Sequence, residues 1–286
     1  MNRTVLVTGG GNGLGKAVAA RFLADGDAVI ITGRDAGRLS ATAAEIGAVP
    51  VACDGSDPRQ VARLAAEIGP VLDVLVNMAG GNTDFTPATG QATAKAAAAG
   101  AARKDTATDD AAAADAGTDD AASADAGTDD GAAAGAAAEL GDVAAAWRAN
   151  LDANLLTAVL TTTAVRGRLR PGGAIINVGS IGAEYASTSY GAAKAALAAW
   201  TSGLSAEVGR DGLTANVISP GYIAGTDFFR GRLTDQRQAT LIGATHDGRA
   251  GHPDDIAETA FFLASAGARH ITGQVLHVNG GAHTTR

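Results

Sequence analysis

Seven short β-branched or apolar runs alternate with segments of helical period along this chain, and that alternation restricts it more than any other feature. The runs are Thr4 to Thr8, Ala28 to Thr32, Val49 to Cys53, Val74 to Asn77, Ala174 to Val178, Thr214 to Ile218 and Gln274 to Val278. Between them lie Gly13 to Ala24, Gly37 to Ile46, Pro58 to Ile68, Val143 to Arg168, Tyr190 to Val208 and Pro253 to Leu263, where apolar residues recur at helical spacing. Strands separated by helices pair in parallel through right-handed crossovers. Several of the runs are continuously apolar, as strands buried on both faces must be. The pattern predicts an α/β protein with a doubly wound parallel sheet of about seven strands.

One stretch breaks the alternation. Residues 86–139 hold nine Asp and one Glu against three basic residues, and no Val, Ile, Leu, Met, Phe, Trp or Tyr. They carry almost all of the formal charge of -8. Their centre is a tandem decapeptide: KDTATDDAAA, ADAGTDDAAS, ADAGTDDGAA. With no apolar face to bury, such repeats cannot offset the entropy of ordering them. A solvated low-complexity insertion is expected, because no bidentate Glu closes a calcium loop around the Asp clusters. The rest of residues 1–286 forms a single domain of a size that buries a substantial core.

Outside the insertion charges nearly balance and no basic block occurs, so neither nucleic acid nor an anionic membrane is expected as partner. Cys53 is the only cysteine, which excludes an intrachain disulfide and suits a reducing compartment. The first eight residues already run into a strand, leaving no room for a signal peptide, and no apolar run approaches a membrane span. A cytoplasmic protein is expected. Its five histidines show no ligand spacing, so no metal is assigned.

The first strand ends in Thr8-Gly9-Gly10-Gly11-Asn12-Gly13-Leu14-Gly15, and a helix follows. Glycines at such a turn admit a pyrophosphate close to the backbone, and the helix start offers unpaired N–H groups to it. The second strand ends at Arg34, where a dinucleotide fold meets the adenosine ribose. A cation there suits the 2′-phosphate of NADP(H), which is favoured over NAD(H) unless Arg34 merely solvates the loop and Asp35 faces the ribose. Asp54, after the third strand, suits either an adenine amino group or a capping role. Tyr190 and Lys194 stand four apart on one helical face, so an ammonium adjoins a phenol and is expected to lower its pKa. That makes Tyr190 a candidate general acid or base. Ser180 ends the fifth strand on the carboxyl edge of the sheet, the ligand side of such folds.

Taken in order, TGGGNGLG at Thr8, NMAG at Asn77, Asn154 in DANL, Ser180, YGAAK at Tyr190 and PGYIAGT at Pro220 resemble the short-chain dehydrogenase/reductase family in its compact, single-domain Rossmann form. The resemblance spans essentially the whole chain outside the insertion. It implies that Tyr190 exchanges a proton with a carbonyl or alcohol and that Lys194 lowers its pKa and binds the nicotinamide ribose. Ser180 would orient the substrate oxygen, and Asn154 would hold a water linking Lys194 to solvent. A helix-interior amide bonding a neighbouring turn is the plainer reading of Asn154. Pro220, Gly221, Ile223 and Thr226 would flank the nicotinamide, and Asn77, Ala79 and Gly80 the adenosine side. A homo-oligomer, tetramer or dimer, built on the two long helices is also implied.

The interval from Ser180 to Tyr190 is shorter than is common in the family, which leaves Ser187 and Ser189 as further candidates for the serine role. In the segment after Thr226, Phe228 and Phe229 suit an apolar substrate pocket, and Arg230 or Arg232 an anionic substrate group. The expected activity is hydride transfer between NADP(H) and a small carbonyl or secondary alcohol. A non-catalytic NADP(H)-binding sensor or scaffold is the alternative, and it has no need of the intact Ser, Tyr and Lys set.

Overall fold

A computed structural model describes residues 2–85 and 130–285 of the chain. Seven strands, β1 (Thr4–Thr8), β2 (Ala28–Gly33), β3 (Val49–Ala52), β4 (Leu72–Asn77), β5 (Leu169–Val178), β6 (Thr214–Pro220) and β7 (Val275–Val278), form one sheet in the order β3-β2-β1-β4-β5-β6-β7. Every pairing is parallel. The strand order reverses between β1 and β4, and the crevice that opens there lies outside the carboxyl ends of the strands.

Continuous apolar strands feed two cores, because successive side chains point to opposite faces. From β1, Val5 and Val7 join Phe22, Ile256 and Leu263 on one face, while Leu6 joins Leu64, Leu75 and Ile175 on the other. Each such fully buried side chain contributes about 1.5–3 kcal/mol. The first face is covered by α1 (Gly13–Ala24), α2 (Ala36–Ile46) and the helix Pro253–Leu263, and the second by α3 (Pro58–Glu67) and the two long helices. Caps set several starts: Asp35 and Asp57 each accept a backbone N–H of the helix that follows, and Pro58 takes the first-turn position where its missing N–H costs nothing.

The helical segment expected over Val143 to Arg168 is longer and broken. It consists of α4 (Asp130–Leu151), a π-helical turn over Asp152–Leu156, and α5 (Thr157–Val165). Residues 130–139, counted above with the low-complexity insertion, belong to α4, since alanine carries a helix without an apolar face. The decapeptide tract up to residue 129, with its Asp clusters, lies outside the described residues. Short helices appear where none was foreseen: α6 (Gly182–Tyr185) between Ser180 and Tyr190, and α8 (Asp235–Gly243) beyond the Phe228–Phe229 pair. The remaining helices are α7 (Ser189–Val208) and α9 (Pro253–Leu263). Among the described residues no helix is long and apolar enough to cross a membrane.

Candidate active site

A cavity of about 900 Å³ follows the crevice from the β1–α1 turn to the loop after β6. Its first wall is backbone. Thr8 ends β1, and its Oγ1 accepts from the N–H groups of Met78 (3.1 Å) and Ala79 (3.0 Å), tying the ends of β1 and β4 together. Gly9 sits at φ +69°, and a Cβ there would lie 2.9 Å from the Ala79 backbone. A Cβ on Gly15 would strike the Gly9 carbonyl. The turn therefore closes only with glycine at both places, and it aims the start of α1 into the cavity. Asn12, the residue before α1, makes no side-chain cap bond, so the first N–H groups of that helix are left to an anionic ligand. This cradle fits a pyrophosphate.

At the adenosine end the two readings of the Arg34–Asp35 pair separate. Asp35 is committed to α2: its Oδ1 accepts from Arg38 N–H at 3.0 Å and its Oδ2 pairs with the Arg38 guanidinium at 2.9 Å. Those bonds hold its carboxyl below the usual range. Arg34 lines the cavity and has no ion-pair partner among the described residues. Asp54 also lines it, though one carboxyl oxygen is used in a turn, accepting from Ser56 N–H at 3.0 Å and Ser56 Oγ–H at 2.7 Å. The capping reading of Asp54 is the one with bonds in the structure.

Asn77 does not reach the cavity. Its side chain faces α5, donating to Thr162 Oγ1 at 2.9 Å and to Asn177 Oδ1 at 2.8 Å. The reason is strand alternation: Asn77 follows Leu75 onto the face of β4 that packs on the second core and α5, while Ala79 lies beyond the end of the strand, where the chain turns along the cavity. The expectation that Asn77 flanks the cofactor is corrected to a buried amide joining β4, β5 and α5. All other residues expected at the cofactor, including Ala79 and Gly80, line the cavity.

Tyr190 and Lys194 lie in the first turns of α7, which is capped by Thr188 Oγ1 accepting from Gly191 N–H at 3.0 Å. Both are buried. Lys194 Nζ donates to the Val178 carbonyl at 2.7 Å and stands 5.9 Å from the centroid of the Tyr190 ring. Burial pushes the Tyr190 phenol up to about 12, opposed by a hydrogen bond with Ser180. Burial likewise pulls Lys194 down to about 8. The expectation that the ammonium lowers the phenol is not met: burial raises it, only the Ser180 hydrogen bond opposes, and Lys194 is itself turned to the end of β5. Ser180 Oγ accepts from Gly182 N–H at 3.0 Å and faces the cavity. Neither other serine does: Ser187 is exposed, and Ser189 is buried behind the site, donating to Asp84 Oδ1 at 2.8 Å.

Asn154 occupies the π-helical turn and clasps Gly81 on both sides, accepting from its N–H at 3.0 Å and donating to its carbonyl at 3.0 Å. Its amide is thus bonded to a neighbouring turn, and the cavity wall at this point is Gly80. A Cβ on Gly80 would lie 2.6 Å from Asn154 Oδ1 and 3.4 Å from Lys194 Nζ. Glycine is required there because the two polar ends converge on it. At the far end Pro220, Gly221, Ile223 and Thr226 line the cavity, with Thr226 Oγ1 donating to the Ile223 carbonyl at 3.1 Å.

With this arrangement in view, comparison with known proteins is decisive. Residues 3–104 match the family described as short chain dehydrogenase, and residues 101–283 match one described as enoyl-(acyl carrier protein) reductase. An oxidoreductase of Mycobacterium tuberculosis is 31% identical over 97% of this chain and 97% of its own length. The chain belongs to the short-chain dehydrogenase/reductase family. A family member from Burkholderia thailandensis has the same fold, with TM-score 0.71 and 32% identity over 99% of this chain and 93% of that one. A short-chain dehydrogenase of Burkholderia cenocepacia in complex with NADP superposes with TM-score 0.68 and 27% identity over 98% of this chain and 97% of that one. The protein is accordingly an NAD(P)-dependent oxidoreductase.

As a short-chain dehydrogenase/reductase the chain carries features that sequence reasoning passed over. Behind Asn154 lies a buried polar trio: Asn150 Nδ2 donates to Asp84 Oδ1 at 2.7 Å and to Ser189 Oγ at 2.8 Å. Asn150 also accepts from Thr83 N–H at 3.2 Å, so the trio holds the loop after β4 against α4 and α7. The one available signal was the Asn150–Asn154 spacing, four apart on one helical face. Beside Tyr190 the cavity wall is aromatic. Phe228 meets the Tyr190 ring edge-on at 5.5 Å, and Phe229 meets Phe228 at 5.0 Å. Arg230 reaches the cavity and Arg232 does not.

Proposed function

We propose that the protein is an NADP(H)-dependent reductase of a carbonyl compound, or the reverse dehydrogenase of a secondary alcohol, with Tyr190 as general acid or base. The observation that carries the reading is the buried Tyr190 hydroxyl, bonded to Ser180 in a cavity whose other end is a pyrophosphate cradle. The nicotinamide supplies the hydride in reduction and takes it up in oxidation. A carbonyl carbon that gains a hydride leaves an alkoxide, a far stronger base than a phenolate whose acid sits at about 12. The proton therefore passes downhill from Tyr190 at neutral pH, with Ser180 holding the same oxygen. Lys194 binds the nicotinamide ribose and feeds a proton back. Asn154 Oδ1 lies no more than about 6 Å from Lys194 Nζ, a span that one bridging water covers.

NADP(H) is preferred because Arg34 is available to a 2′-phosphate while Asp35 is held by Arg38, and the B. cenocepacia relative binds NADP. The substrate has an apolar body against Phe228 and Phe229 and an anionic group within reach of Arg230. A homo-oligomer is supported by the apolar stripe Leu140, Val143, Trp147 and Leu151 exposed along α4. Cys53, the lone cysteine and a buried free thiol, suits a reducing compartment, the cytoplasm. Oxidation of NADPH with a panel of aryl ketones bearing a carboxylate tests the reading. Turnover by Tyr190→Phe at the rate of the unaltered protein would overturn it.

A further inference from the structure

Outside the cleft, three ligand-type side chains from distant parts of the chain meet. Glu184 stands on α6, His277 on β7, and His283 on the tail beyond it. His277 Nε2 lies 3.8 Å from one Glu184 carboxyl oxygen, and His283 Nε2 lies 3.6 Å from the other. The two imidazole rings are 5.2 Å apart. These separations are too long for hydrogen bonds, although a histidine and a carboxylate placed for each other's sake would close to about 2.8 Å.

They suit a shared centre. One ligand atom from each residue lies within 4.8 Å of the others. Three atoms so disposed have a common centre within about 2.8 Å of each, and small side-chain rotations bring that to the roughly 2.0–2.2 Å of a zinc bond. His277 is 11% exposed, and its Nδ1 is buried with no hydrogen-bond partner. Its register partner on β6, Ser219, also has a buried Oγ without a partner. A ligating imidazole donates from its second nitrogen to a group behind it, and Ser219 Oγ is the unpartnered acceptor on the paired strand.

The tail is also built for the approach. Gly280 and Gly281 take φ +62° and +87°, and Asn279 Nδ2 donates to the His283 carbonyl at 3.0 Å, folding the chain back so that His283 faces His277. Glu184 and His283 keep partial exposure, which gives an ion a path from solvent.

We propose that Glu184, His277 and His283 form a binding site for one zinc ion. Two imidazoles and a carboxylate select a borderline cation over magnesium or calcium, which prefer oxygen ligands. None of the three lines the cofactor cavity, so the ion acts as a clamp. It joins the tail to α6, four residues beyond Ser180, and so braces the wall that carries the catalytic serine.

The test uses the full, untagged chain, stripped with a chelator and dialysed. Titration with Zn²⁺ is expected to show one site per chain and a raised Tm, with no such rise from Mg²⁺. Co²⁺ is expected to give the visible absorption bands of a four-coordinate, nitrogen-ligated ion. His283→Gln and Glu184→Gln are each expected to weaken Zn²⁺ binding at least tenfold while NADPH binding persists. Absence of stoichiometric Zn²⁺ uptake by the unaltered chain would overturn the proposal, as would affinity unchanged in both variants, which would place the ion on histidines elsewhere.

Discussion

The two ends of the cleft are made of different material. At the adenosine and pyrophosphate end the ligand groups are mostly backbone: the turn from Gly9 to Gly15, the open start of α1, and two side chains, Arg34 and Asp54, at successive strand ends. They come from the first 55 residues, and each is set by local chain geometry. At the other end the groups are mostly side chains, drawn from the π-helical turn Asp152–Leu156, the loop after β5, α7 and the loop after β6. Their chemistry depends on what surrounds them. Backbone cradles fail when sterics change, whereas the catalytic end fails when a functional atom or its environment changes.

The largest effect is expected at the catalytic end. Tyr190→Phe keeps the ring packed on Phe228 and removes only the hydroxyl; kcat should drop by about 10²–10⁴ with the NADPH Kd nearly unchanged. A parallel loss of cofactor affinity would mean the two ends are not separable.

Next comes the cradle. Gly15→Val drives side-chain atoms into the Gly9 carbonyl, so NADPH affinity should fall by about 100-fold or more, seen as a lost thermal shift on NADPH addition. An unchanged shift would show that the turn relaxes.

Arg34→Ala should weaken NADPH binding about tenfold and leave NADH binding alone, the difference being about 1.4 kcal/mol of charge-assisted contact. Equal effects on both cofactors would move the 2′-phosphate elsewhere.

The smallest effect is in pH. Lys194 has its folded-state pKa lowered to about 8 from 10.5. Between those values the unfolded chain binds the extra proton, so this group's contribution to stability rises with pH across that window. Over the same window the folded protein loses the ammonium proposed to bind the ribose, so NADPH affinity should decline several-fold above pH 8. Lys194→Met should flatten both trends, read as Tm and Kd against pH. Tyr190, at about 12, stays protonated throughout.

Legibility in the sequence followed the same division. Six of the seven strands lie within two residues of the runs expected because β-branched runs between helical periods leave little choice, and β1 and α1 have the bounds expected, while β5 starts five residues before its apolar run, at Leu169. The Tyr190–Lys194 pairing was legible because four residues is one helical turn. The break in the long helix at Asp152–Leu156 was not, since DANL continues a helical pattern and only the clasp between Asn154 and Gly81 marks the turn. Nor was the direction of Asn77 away from the cavity: NMAG reads as a unit, but alternation along β4 sends its first residue to the buried face against α5.

Sequence alone determined the sheet, the glycine turn, the cationic end of β2 and the helical face that carries Tyr190 and Lys194, because each depends on contacts a few residues long. Tertiary structure alone decided which of three serines meets Tyr190, that burial rather than the ammonium governs the phenol, and that His277 and His283 converge on Glu184. Those outcomes depend on solvent exclusion and on chain segments that meet only after folding, and no local pattern encodes either.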